Sequence, residues 1–85
     1  MSSNLYLVYL GGDPAPGRIG EEHEVVLVVA DDVKSARAQA RAKWQGVSRA
    51  HVDAITPVRV IDGHRVELVA TGEADSFEID TTFED

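Results

Sequence analysis

Two runs, Leu5–Leu10 (LYLVYL) and Val25–Ala30 (VVLVVA), restrict this chain more than any other feature. In the first, Tyr6, Val8 and Leu10 alternate with Leu5, Leu7 and Tyr9, so both alternate sets are apolar. The second is apolar in the same way. Aromatic and branched residues in this pattern predict β-strands covered on both faces. Only one segment has a helical pattern, and one helix covers one face of a sheet. A chain of 85 residues also has limited scope to bury its own surface. The uncovered face therefore needs a second layer, either the end of the chain folding back or a second copy.

The helical segment spans residues 32–45. Asp31 or Asp32 can cap it, and both favour the positive end of the helix dipole. Val33, Ala36, Ala40 and Trp44 recur at spacings of three and four, which makes one apolar stripe. The alanines permit close approach to a sheet, Trp44 supplies buried area, and Gly46 stands where a left-handed stop residue belongs. Between the two strands, Gly11–Gly20 (GGDPAPGRIG) is too rich in Gly and Pro to be anything but a loop.

After a connection over 47–52, residues 53–70 predict a hairpin around Asp62-Gly63. A two-residue loop pairs Arg59 with Val66 and Pro57 with Leu68. A three-residue loop pairs Val60 with His64, Val58 with Val66 and Thr56 with Leu68. The second gathers the apolar side chains on one face and is preferred on that ground. From Thr71 the chain is acidic. Phe77, Ile79 and Phe83 alternate with Glu78, Asp80 and Thr82, the period of a half-buried strand; the alternative is a disordered acidic end.

The expected fold is α+β: a mainly antiparallel four- or five-stranded sheet with one helix on one face, in the order ββαββ with a possible C-terminal strand. The first strand is central (order 2-1-3-4), which accounts for its two-sided apolarity. Residues 1–72 form the domain and 73–85 the tail.

Charge excludes some functions. The net charge is −7, and six of the 15 acidic residues lie in the tail, Glu73–Asp85, where there is no base. The other nine face eight Lys and Arg, so the body is near neutral and not a basic nucleic-acid binder. Lys34, Arg37 and Arg41 share one helix flank and Lys43 the other side, as a solvated flank that tail acids can pair. There is no Cys, which excludes thiolate metal sites, disulfides and Cys nucleophiles. No apolar run approaches the ~20 residues of a membrane-spanning helix.

The run LYLVYLGGDPAPGRIGEEHEVVLVVADD, the segment ending KWQG and the stretch AHVDAITPVRVIDGHRVEL resemble a small bacterial family of uncharacterised domains. It is a domain-of-unknown-function family whose members carry one or two copies of the unit. The resemblance covers residues 4–70. It implies a bacterial, soluble, cytoplasmic protein and no particular activity, and two-copy members are consistent with a single copy pairing with itself.

Three histidines are candidates for a site. His51 and Asp53 are two apart and share one side of an extended segment. His23 begins the second strand. Brought together, His23, His51 and Asp53 suit a divalent metal or acid/base chemistry; the plainer reading is a structural hydrogen bond. His64 follows the turn and is exposed. The glycine loop lacks a phosphate-binding pattern and leads into a strand, so it is a connection, or else a lid in which Arg18 meets an anion. Trp44 is core, with ligand stacking as the alternative. No serine stands in a nucleophile elbow, and no cofactor signature is present. The sequence thus favours a non-enzymatic homodimeric interaction module, assembled sheet face to sheet face or by tail exchange, with a protein partner possible and no nucleic acid or membrane. The alternative is a metal- or small-ligand-binding enzyme using His23, His51 and Asp53 near the Gly11–Gly20 loop.

Overall fold

A computed structural model describes residues 3–13, 20, 22–46 and 49–77. The elements are β1 (Asn4–Gly12), β2 (Glu22–Ala30), α1 (Val33–Ala42), β3 (His51–Pro57), β4 (Val60–Ile61) and β5 (His64–Arg65). β1 lies between β2 and β3 in an antiparallel three-stranded sheet, and β4 and β5 form a separate two-stranded ribbon. The α+β class and the central position of the first strand agree with the sequence. The four- or five-stranded sheet does not: the fourth strand stays outside it, and residues 66–77 follow no strand. The tail alternation beyond Phe77 lies outside the described residues.

Helix α1 covers one face. Asp32 caps it in extended backbone, its carboxylate accepting from the Ser35 amide at 2.7 Å. That hydrogen bond holds the Asp32 carboxyl below its ordinary value. Ala36 and Ala40 are fully buried against Tyr6, Val8, Leu10, Val28 and Ala30, with Val26, Trp44, Val52 and Ile55 around them. The absence of long side chains at 36 and 40 brings the helix close to the sheet. Val33, at the first helical position, is not in the buried stripe and stays 44% exposed. No helix among the described residues is long and apolar enough to cross a membrane.

Three boundaries depart from expectation. Gly11 and Gly12 belong to β1 rather than the loop, and Glu22–Glu24 to β2. β3 begins at His51. Gly46 is not left-handed: its φ is outside the positive-φ residues, Gly20, Gly63, Gly72 and Asp62. A Cβ there would sit 2.2 Å from Trp44 Cζ2, so the glycine provides clearance for the indole.

The hairpin takes the two-residue loop, with Val60 opposite Arg65, Ile61 opposite His64, and the Val66 amide donating to Arg59 O at 2.8 Å. Asp62 and Gly63 have φ of 51° and 75°, the pair of positive values that a type I′ turn requires. The three-residue register fails because its premise fails. Val60 and Ile61 are 65% and 57% exposed, so no buried face selects the register and turn chemistry decides it.

Candidate functional site

The face of the sheet away from α1 is where the candidate residues meet. Its register rows are Leu5 with Val29, Leu7 with Leu27 and Thr56, Tyr9 with Val25 and Ala54, then Gly11 with His23 and His51. Three rows are thus almost wholly apolar, and the fourth is polar. Leu7 and Tyr9, on the central strand, are 37% and 38% exposed, and Val25, Leu27 and Val29, on the neighbouring edge strand, are 58%, 37% and 47% exposed.

In the polar row, Gly11 on the central strand has no side chain, and the histidines of the two outer strands flank the gap. A β-bulge supplies the third member. Tyr9 pairs with Ala54 and Leu10 with Val52, which leaves Asp53 as the extra residue of β3. A bulge re-aims the side chain it displaces. Asp53 Oδ1 lies 3.1 Å from His51 Nε2 and Oδ2 lies 3.8 Å from His23 Nε2. One carboxylate therefore addresses both imidazoles. The His23 ring also stacks on Tyr9, with centroids 5.1 Å apart and planes 5° from parallel. The three side chains are 35–55% exposed.

The sequence-predicted residues divide accordingly. His23, His51 and Asp53 are brought together. Trp44 is remote from them in role, half-buried against the core on the helix side of the sheet. Its indole fits between Gly46 and Gly12, where a Cβ would lie 2.9 Å from Cζ2. The Gln45 amide donates to Glu24 Oε2 at 3.1 Å and ties this segment to β2. Arg18 and most of the glycine loop lie outside the described residues. His64 is exposed at the turn, its Nδ1 2.7 Å from Asp62 O. Among the described residues, no group of three His, Asp or Glu is arranged to hold a metal ion.

A second feature of this face escaped the sequence reading. Lys43, the residue that ends α1, reaches round the outer edge of β2. Its Nζ donates to Leu27 O at 2.7 Å and to Asp75 Oδ2 at 3.1 Å. Beyond Asp75, Phe77 lines two shallow cavities of about 300 and 280 Å³ over the apolar rows. The only sequence signal was the pairing expected between helix-flank bases and tail acids.

The family model described as Domain of Unknown Function (DUF1543) matches residues 18–68, more than half of the chain. That span runs from the glycine loop through β5 and leaves β1 outside, whereas the resemblance drawn from the residues alone begins at residue 4. No curated protein and no solved structure matches the chain.

Proposed function

Because the chain belongs to the family Domain of Unknown Function (DUF1543), which brings no activity with it, we propose its function from the geometry: a non-enzymatic module that pairs with a second copy through the open sheet face. The observation that carries this reading is the continuous apolar surface of Leu5, Leu7, Tyr9, Val25, Leu27 and Val29. Exposed contiguous apolar patches of this kind mark interaction sites. The total accessible surface is 6910 Å². A compact chain of this size exposes about 4,900 Å². Lys43 occupies the Leu27 carbonyl on the β2 edge, which obstructs sheet extension along that edge.

Native mass spectrometry and sedimentation equilibrium of the untagged protein test this, with the Leu27→Asp variant beside it. The parent should be a dimer, and the variant should dissociate about 100-fold more readily, since a two-fold contact contains the unpaired carboxylate twice. Its circular dichroism should be unchanged, because Leu27 is outside the core. A parent that stays monomeric at high micromolar concentration ends the proposal.

A second reading, a metal- or small-ligand-binding enzyme, is favoured by one observation, the shared carboxylate of Asp53. It requires that His51→Ala abolish binding of a divalent metal or small molecule without lowering the melting temperature. A stability loss with no binding to lose would count against it.

A further inference from the structure

We infer that the acidic tail is an intramolecular strap which covers part of the open face in the monomer and must be displaced for a second copy to pair; the inference rests on the dimer reading above. Its fastening is visible. One ammonium group, Lys43 Nζ, binds both the outward carbonyl of Leu27 and the carboxylate of Asp75, at 2.7 and 3.1 Å. The tail is thereby held at the β2 edge, two residues before Phe77.

Phe77 then reaches the open face. It borders one cavity with Leu5, Leu27 and Val29 and another with Leu7, Val25 and Leu27, yet remains 67% exposed. Two apolar cavities thus lie open beside the point where the described chain ends. Eight residues follow, and in them Ile79 and Phe83 alternate with Glu78, Asp80 and Glu84 on a period-two pattern. Extended, eight residues span up to roughly 26 Å. Adjacent strands are about 4.8 Å apart, so that length crosses a three-stranded sheet with residues to spare. Their sequence continues the alternation of apolar and acidic residues that Phe77 begins.

The consequence is competition. The strap and the second copy need the same rows, and two strapped faces would meet acid against acid. Both protomers must open before they pair, so a strap closed in two thirds of the chains weakens dimerisation about tenfold. The Lys43–Asp75 pair is exposed, with side chains 38% and 67% accessible, so salt screens it.

Sedimentation equilibrium of the full chain, of a chain ending at residue 72, and of the full-length triple variant Phe77→Ser, Ile79→Ser, Phe83→Ser decides the matter. The triple variant keeps all six tail acids and so separates apolar grip from net charge. Both altered chains should dimerise about tenfold more tightly than the parent, and raising sodium chloride should tighten the parent more than the truncated chain. If only the truncation tightens pairing, the cause is charge and the strap is overturned. If either altered chain pairs more weakly, the tail is exchanged between copies and the strap is again overturned. Should no chain dimerise, the reading under Proposed function fails, and the strap is judged on binding of the apolar dye ANS to the monomers. Higher dye fluorescence in both altered chains upholds the strap, and equal fluorescence overturns it.

Discussion

Replacing Gly46 with Ala tests the packing logic at its tightest point. Gly46 is not left-handed, so alanine meets no backbone strain and the whole penalty is steric. The new Cβ would lie 2.2, 2.3 and 2.4 Å from Cζ2, Cε2 and Nε1 of Trp44. Restoring an ordinary contact of about 3.4 Å requires the rigid indole to retreat by about 1.2 Å. Retreat toward the sheet is blocked. A Cβ on Gly12 would already be 2.9 Å from the same ring, and 3.4 Å from Ala50 Cα. The indole must leave its slot. The cost falls between overpacking, about 1–3 kcal/mol, and loss of a packed aromatic, about 3–5 kcal/mol, so the expected value is about 3 kcal/mol. For a chain of this length that is about a quarter to two thirds of the total stability and lowers the melting temperature by roughly 12–24 °C. Urea titration followed by the fluorescence of Trp44, the only tryptophan, reads it directly. The same substitution in a Trp44→Ala background should cost less than about 0.5 kcal/mol, because the collision partner is gone. A parent-like Gly46→Ala, or an equal cost without the indole, refutes the reasoning.

Asp32→Ala should lower the melting temperature at neutral pH. The cap hydrogen bond depresses the folded-state pKa, so its contribution is full above the unfolded-state value and fades as pH falls through the folded one. Parent and variant melts should therefore converge in strong acid, and a gap that persists there would show that the carboxylate charge is irrelevant. Asp53→Ala should cost at most about 1 kcal/mol, since its ion pairs are half exposed. It should also move the imidazole proton resonances of His23 and His51 together; a shift confined to one ring would mean the carboxylate is not shared.

The strands were legible where their chemistry is local. Leu5–Leu10 and Val25–Ala30 carry enough branched and aromatic residues to declare themselves, and the two-sided apolarity of the first placed it at the centre of the sheet. β3 was harder to bound, because His51, Val52 and Asp53 break the alternation at the point where the bulge sits. The hairpin register was misread for a reason that generalises: the rule that a buried face selects register has no force on a ribbon without one, and Asp62-Gly63 then decides. Gly46 was read as a backbone device although its neighbour Trp44 was the clue to clearance. The candidate site was half visible. His51 and Asp53 share a side by spacing alone, but His23 joins them only through the register that sets both histidines beside Gly11.

That register also bears on what the histidine cluster is for. The open face changes character within one row: Tyr9 and Val25 end the apolar rows, and Gly11, His23 and His51 begin the polar one. Tyr9 stacks on His23 across the boundary, so the last apolar side chain is braced by the first polar one. Protein interfaces have this anatomy, an apolar centre with a polar margin that stays wet. The two cavities that Phe77 borders are lined by Leu5, Leu7, Val25, Leu27 and Val29 and by none of the three cluster residues. On the proposed dimer, Asp53 and its two histidines serve as a first margin of the contact. Gly11 is then the residue that makes the first margin possible, because any side chain on the central strand would stand between the imidazoles that one carboxylate now joins.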